Sequence, residues 1–285
     1  MSLPVVDIDE LNRATVRRLL PIWIRNAVTN ASRLKTAQTI DAILGKYHGK
    51  AAIVVASGPS LNKQFGTLHF FRGSEVVLVC CDSAYKPLID HEIVPDYVVA
   101  VDPKPQNKVF FQGTESRHGQ SCLIASSVVH PAVLEAWKGP LVLFNPELDY
   151  STDFWAALPY LVGNFGSVAV GGSVLSAAVS IVVSGFMCDR VALVGADFCW
   201  YGDSHHVSGA IVPKFSDAVE VPCNGQMAYT SPPLLAYLQW FQQLFSAPFV
   251  RDDGKLVEFV NCTEGGLLDS AFAPNIPLKH FLHSL

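Results

Sequence analysis

The sequence predicts an α/β protein built on a doubly wound, mostly parallel sheet, with a helical extension before the sheet and a loop-rich flap late in the chain. Three observations lead there. Short apolar runs rich in Val, Ile and Leu recur along the chain, among them "AAIVV", "EVVLVCC", "YVVAV" and "RVALV". Continuous runs of this kind suit strands buried on both faces. Helical spacing separates most of them, and strands alternating with helices imply right-handed crossovers onto one sheet. The charged fraction is 16% of 285 residues and half of the chain is hydrophobic. Soluble chains carry about 25% charged residues, so a large core is expected.

Taken in order, residues 8–47 present a broad apolar face from Leu11, Val16, Leu19, Leu20, Ile22, Ile24 and Val28, and Pro21 is expected to divide the stretch into two helices. Residues 1–48 are read as a helical extension packed on a domain spanning 49–285. In that domain "KAAIVVAS" gives the first strand, and "SEVVLVCCDSA", "DYVVAVDPKP", "SCLIASS" and "GPLVLFN" give four more, with helices near 83–92 and 130–137. Residues 165–188 are uncharged over 24 positions, long enough to span a bilayer. Yet "GGS" at 171–173 reads as a helix start, and the roughly four turns left before Gly185 are too few to cross. A buried core helix is expected, with no transmembrane segment. "DRVALVGADF" adds a strand, and "GDSHHVSGAIVPKFSDAVEVPCNGQ" a flap or hairpin. "PLLAYLQWFQQLFSA" then gives an amphipathic helix, "DDG" at 252–254 a turn, and "KLVEFVNCTEGG" the last strand.

Composition excludes some classes. The net charge is −5 and the longest basic cluster is Arg17–Arg18, which does not fit nucleic-acid binding. Seven cysteines, at 80, 81, 122, 188, 199, 223 and 262, form no C-x-x-C pair and read as reduced thiols. Asp7, Asp9 and Glu10 stand where a secretory signal would be basic. A cytoplasmic protein is expected.

Ligands of open α/β sheets sit beyond the carboxyl ends of the strands. Just past the predicted strand ends stand Ser57-Gly58-Pro59-Ser60, Asp82-Ser83, Asp102-Pro103-Lys104, Ser126-Ser127, Asn145, Asp197 and Asn261 with Thr263-Glu264-Gly265-Gly266. Any one of these is more often a helix cap than a ligand, but their recurrence indicates a pocket at that edge. Gly58 permits close approach to the main chain, and Pro59 pre-sets a helical first turn. The N–H groups of Ser60, Leu61 and Asn62 would then face outward toward an anion. A plain strand-to-helix connection is the equal alternative, because the stretch is neither G-x-G-x-x-G nor a Walker A loop. Asp82 and Asp102 can bind ribose hydroxyls, hold a divalent metal or cap helices. Lys63, Lys86 and Lys104 are placed either to neutralise phosphates or to lie in solvent. His205 and His206, in a polar loop, are the candidates for proton transfer near neutrality. Adjacent side chains diverge and no H-x-x-x-H partner is near, so no metal site is expected there. No G-x-S-x-G elbow or dinucleotide fingerprint supports a serine nucleophile or hydride transfer.

Four motifs, "ASGPSL", "CDSAYKPLIDHEIVPDYVVAVDP", "LVGADFCWYGDSHH" and "VNCTEGG", occur in order between about residue 30 and the end, together with "NGQMAYTSPPLLAYLQWFQQL". In order and wording the chain resembles the motility accessory factor family of bacterial flagellin glycosyltransferases, which is grouped with archaeal 6-hydroxymethylpterin pyrophosphokinase-like proteins. The first motif is also similar to the opening of bacterial sialyltransferases with a Rossmann-like fold. The resemblance implies a transferase acting on a nucleotide-activated substrate. In the flagellin branch that is a CMP-linked nonulosonic acid passed to a Ser or Thr hydroxyl, with no metal or other cofactor required. It further implies that Gly58, Pro59 and Ser60 hold the nucleotide phosphate or sugar, and that Asp82 and Asp102 line the nucleotide pocket. Gly172 and Ser173 would start the helix beneath. Asp197 matches the family's "GxD" aspartate, His206 its following histidine, and Glu264, Gly265 and Gly266 its closing motif. Family enzymes flank this domain with longer regions, so the acceptor stays open between a protein hydroxyl, a glycan and a small molecule.

Three functions are carried forward. The first is a sugar-nucleotide glycosyltransferase in which His206 or His205 deprotonates the acceptor. The second is a pyrophosphokinase moving diphosphate from ATP to a hydroxymethyl pterin, with Mg²⁺ on carboxylates such as Asp82, Asp102 or Asp197. The third is a non-catalytic nucleotide- or sugar-binding domain, indifferent to loss of both histidines.

Overall fold

The computed structural model describes residue 4 and residues 6–70, 76–211 and 217–285; the "VPKFS" part of the expected flap and the "SE" that opens the second expected strand lie outside them. In chain order the elements are α1 (Ile8–Asn30), β1 (Gln38–Thr39), β2 (Ala51–Val55), α2 (Phe65–Phe70), β3 (Val76–Cys81), α3 (Asp82–Asp90), β4 (Tyr97–Ala100), β5 (Cys122–Ser126), α4 (Pro131–Ala136), β6 (Leu141–Glu147), α5 (Thr152–Val162), β7 (Ser167–Ala169), α6 (Val174–Ser180), β8 (Arg190–Val194), β9 (Val219–Cys223), β10 (Gln226–Thr230), α7 (Pro232–Leu244), β11 (Phe249–Val250), β12 (Leu256–Asn261) and α8 (Leu278–His283). The main sheet runs β1-β6-β5-β4-β3-β2-β8-β12-β11, with β7 also on β6, and β9 and β10 form a separate hairpin. Every pair in the main sheet is parallel except β11 with β12.

Burial on both faces explains the apolar runs. In β2, Ile53 and Val55 face the core formed with α1, α2, α3, α4, α5 and α8, whereas Ala52 and Val54 face the one formed with α6 and α7. The sheet is thus doubly wound and Rossmann-like. The chain builds outward from β2 through β3, β4, β5 and β6, then returns to lay β8 on the other side of β2. Between the carboxyl ends of β2 and β8 lies the topological switch point, where such sheets open a crevice.

Two local expectations need comment. Pro21 does not break the first helix: α1 continues through it to Asn30. Pro21 is exposed, so the Arg17 carbonyl that loses its partner faces water rather than a dry core. The 165–188 segment contains the expected buried helix. Ser173 accepts from the Ser176 N–H and begins α6, and the helix ends in a π-helical turn over Ile181–Gly185. No helix among the described residues is long and apolar enough to cross a membrane.

Helix α1 is sewn across the carboxyl edge of the sheet. The buried Asn26 amide donates to the carbonyls of Pro103 (3.0 Å) and Val128 (3.1 Å), and that of Asn30 to those of Ser127 (3.0 Å) and Val129 (2.7 Å). These bonds fix the face of α1 carrying Arg18, Leu19 and Trp23 over the strand ends.

Candidate functional site

At the switch point three loops meet through contacts only small residues allow. The Gly58 N–H donates to the Gly195 carbonyl at 2.9 Å, and a Cβ on Gly58 would collide with that carbonyl and with the Asp197 carboxylate. Gly195 itself takes φ of +69°, a conformation open to glycine at little cost, and lies against the Ala56 carbonyl. Bare backbone after β2 therefore serves, first, the close approach of the β8 loop.

That approach decides what becomes of the expected anion site. Residues 59–63 form a tight 3₁₀ turn rather than the start of an α-helix. Asp197 fills the position expected for an external anion: its carboxylate accepts from the Ser60 hydroxyl at 2.7 Å and from the Ser60 N–H at 3.3 Å. The Leu61 N–H turns back to the Gly58 carbonyl at 3.1 Å. Burial pushes the Asp197 carboxyl up to about 6, and the Ser60 hydrogen bonds and nearby Lys63 hold it from rising further. The chain supplies its own anion to the turn.

The histidine loop is strapped over the end of β2. The Val207 N–H donates to the Ser57 carbonyl (2.9 Å) and the Ser208 N–H to the Asn62 side chain (3.1 Å). This places His206 Nδ1 3.5 Å from Ser57 Oγ, which in turn accepts from the Ser83 hydroxyl at 2.8 Å. His205 diverges and stacks on Trp200 with ring centroids 4.4 Å apart. Burial, reinforced by His205, lowers His206 to about 4, so its imidazole is neutral at pH 7. A neutral imidazole beside a serine pair can accept a proton from a hydroxyl placed there. The two histidines occupy different surroundings, and the one in the line of serines is His206.

Ser57, Gly58, Pro59, Ser83, Asp102, Ser173, Asp197, His205 and His206 line one cavity of about 380 Å³. Asp82 opens instead into a cavity of about 650 Å³, which shares Ser83, Asp102, Lys104 and Val174 with the first. Asp82 is buried, and burial first, then the Asp102 charge, raises its carboxyl to about 7. One of its oxygens accepts from the Ser83 N–H, while the other makes no close hydrogen bond among the described residues, the nearby Asn107 side chain helping to hold the carboxyl down. Asp102 is half-exposed and lies 3.7 Å from the Lys104 ammonium.

Other residues expected at the site are committed elsewhere. Glu264 turns its carboxylate away, accepting from the Gln64 amide (3.0 Å) and from the Leu278 N–H that begins α8 (3.1 Å). Lys86 is paired with Asp90 at 3.1 Å, and Asn145 and Asn261 tie loop carbonyls. Gly265 stays close, with Asp197 Oδ1 3.7 Å from where its Cβ would be. Gly172 lies on the wall of a third cavity, described below, which shares Ser173 with the first. Sequence reasoning missed Arg18 and Tyr237, which line the same crevice from α1 and α7. On a helical pattern each looks like an ordinary surface or core position, and only the packing of α1 and α7 brings them to the strand ends.

A family model described as 6-hydroxymethylpterin diphosphokinase MptE-like matches residues 25–203. Among curated proteins, an uncharacterized protein of Treponema pallidum (strain Nichols) is 30% identical over 63 residues, 22% of each chain. Among solved structures, a Maf glycosyltransferase from Magnetospirillum magneticum AMB-1 aligns with a TM-score of 0.62 and 17% identity, over 89% of this chain and 38% of that one. The chain thus spans under two fifths of that structure's length, and the likeness at this identity is one of fold.

Proposed function

Because the chain belongs to the 6-hydroxymethylpterin diphosphokinase MptE-like family, we propose that its switch-point crevice binds a nucleotide-activated donor, and that it is a glycosyltransferase. The observation that carries this reading is the line from His206 through Ser57 to Ser83 at the carboxyl ends of β2 and β3, inside one cavity with Asp102 and Lys104. In this mechanism the donor, taken as CMP-linked, lies along the crevice with its phosphate toward Arg18 and Lys104. Its phosphate does not sit on the Ser60 N–H, which Asp197 occupies. His206 accepts the proton of the incoming hydroxyl as the bond to the nucleotide phosphate breaks, and the cations hold the departing negative charge. An anionic donor beside the imidazole favours its protonated form, so binding raises the basicity of His206 toward neutrality. No step requires a metal. The fold shared with the Maf glycosyltransferase supports this assignment.

A second reading is favoured by one observation, the Asp82–Asp102 pair. The two carboxylates share a cavity, the Asp102 charge adds to burial in raising Asp82, and one Asp82 oxygen makes no close hydrogen bond among the described residues. Hard divalent cations take such oxygens together with phosphate oxygens and water, so Asp82 and Asp102 are the residues that would hold Mg²⁺ for diphosphate transfer from ATP. That ion would neutralise the charge on the transferred group.

A thermal-shift panel with CMP, CDP, UDP, GDP and ATP, each with and without Mg²⁺, separates the readings. A nucleotide at about 100 times its Kd stabilises the folded state by about 2.7 kcal/mol. Stabilisation by CMP independent of Mg²⁺ is the expected result. Stabilisation by ATP alone, and only with Mg²⁺, replaces the first reading with the second.

A further inference from the structure

Beside the nucleotide crevice lies a cavity of about 260 Å³ whose floor includes the strand-end residues Asp102, Lys104 and Ser126, and whose other walls come from elsewhere in the chain. Its roof is α1, through Arg18, Leu19 and Trp23, and all three positions precede the residue at which the family match begins. Its far wall brings Tyr150 and Trp155, from the chain after β6, toward Tyr237 of α7. Asp102, Lys104, Ser173 and Tyr237 belong to this cavity and to the switch-point cavity alike, so the two open into each other.

Several polar groups gather around this small, open cavity. Burial raises both phenols; Tyr237 adds to the rise of Tyr150, while Asp102 raises and Arg18 lowers Tyr237. Neither phenol hydroxyl is hydrogen-bonded among the described residues. Two phenols, a carboxylate and a guanidinium around one small space offer donors and acceptors in several directions. Trp23 and Trp155, tilted at 55° to each other, 4.8 Å apart and packed into the core, offer no pair of parallel faces to sandwich a flat heteroaromatic ring. A saturated ring with hydroxyls around its rim needs no parallel pair of rings: its C–H groups pack against apolar and aromatic surface while its hydroxyls reach the polar groups. At 260 Å³ the space falls below the roughly 300–1,000 Å³ of drug-sized sites, enough for one ring and not for a chain of them.

We propose that this α1-roofed cavity is the acceptor subsite, and that the acceptor presents a single hydroxylated pyranose ring held by Tyr150, Tyr237 and Asp102, with Arg18 on the wall common to both cavities and turned to the donor phosphate. The assignment rests on the transferase reading for its role, since it sets an acceptor hydroxyl beside the crevice that holds the donor. It selects a glycan terminus over a bare Ser or Thr side chain, which is too small to fill the space.

The test uses saturation-transfer NMR on the whole chain, with methyl β-D-glucopyranoside, methyl β-D-galactopyranoside, pterin and CMP as probes. Two variants act on the cavity without touching the residues shared with the crevice. Tyr150→Phe removes one phenol hydroxyl, and Leu148→Trp fills the space from its partly buried rim. One lost hydrogen bond weakens glycoside binding about five-fold. The expected result is glycoside binding in the wild-type chain, weakened in Tyr150→Phe, abolished in Leu148→Trp, with CMP binding the same in all three. Absence of glycoside binding, its indifference to both substitutions, or displacement of glycoside by pterin overturns the proposal. Glycoside binding that responds to both substitutions in a chain taking up none of the nucleotides supports the subsite while defeating the transferase reading, so the two fail separately.

Discussion

Replacing Gly58 by alanine measures how tightly the loops after β2 and β8 are locked together. Gly58 has φ of −64°, so alanine meets no backbone strain and the substitution adds one methyl group. That methyl would overlap the Gly195 carbonyl and the Asp197 carboxylate. The carbonyl cannot retreat without breaking its 2.9 Å bond from the Gly58 N–H, next to the Ala56-to-Val194 bond at 2.8 Å. The carboxylate can retreat only by releasing the Ser60 hydroxyl at 2.7 Å. Overpacking costs about 1–3 kcal/mol, and a hydrogen bond to a charged group contributes about 1.5–3 kcal/mol. Because relief of one reduces the other, we expect a loss of about 3 kcal/mol. Differential scanning calorimetry reads this as a Tm about 6–12 °C lower, at 2–4 °C per kcal/mol for a domain of roughly this size. Gly66→Ala is the control: it lies in α2 with nothing within 4 Å of an added Cβ, so it is neutral or slightly stabilising. A Gly58→Ala Tm within about 1 °C of wild type would refute the packing argument, and with it the placement of Asp197 against Ser60.

The remaining expectations concern charge and chemistry. Asp82 is raised from 3.8 to about 7, so the folded state holds its proton longer than the unfolded chain, and stability falls as pH rises from about 4 through 7. Asp82→Asn abolishes that penalty, which reaches up to about 4 kcal/mol once the carboxyl is ionised; urea melts should show the variant gaining over wild type at pH 8 and matching it near pH 4, and equal gains at both would defeat the account. His206→Gln should lower single-turnover transfer by about 10²–10⁴-fold while isothermal titration finds nucleotide affinity unchanged. Turnover that survives this substitution rules out a base role. His206 is depressed from 6.5 to about 4, so its contribution to stability is present above about 6.5 and is lost as pH falls toward 4. His206→Gln should therefore narrow the difference in stability between pH 7 and pH 5, as read by the same urea melts.

Much of the fold was legible because burial on both faces leaves a plain mark. β2, with its run "AAIVV" buried throughout, has no polar side to confuse with a surface strand, and the "NG" at 224–225 takes positive φ at both residues to turn β9 into β10. The carboxyl-edge site was legible in outline for a related reason: small and polar residues interrupt apolar runs only where the chain leaves the sheet. The length of α1 was not, because the effect of Pro21 depends on whether the carbonyl it orphans meets water, which is a property of the assembled surface.

Sequence by itself determined the strand runs, the alternation that makes the sheet parallel and doubly wound, and the set of residues at its carboxyl edge. Only the tertiary structure decided how that set divides. Asp197 and Glu264 look alike beside their glycines, yet one satisfies the Ser60 turn inside the crevice and the other begins α8 behind it. Arg18 and Tyr237 join the site from helices far apart in the chain. A local pattern records what each residue does to its own segment; which side chains share a cavity follows from how helices cross the sheet, and that is fixed by packing among distant residues.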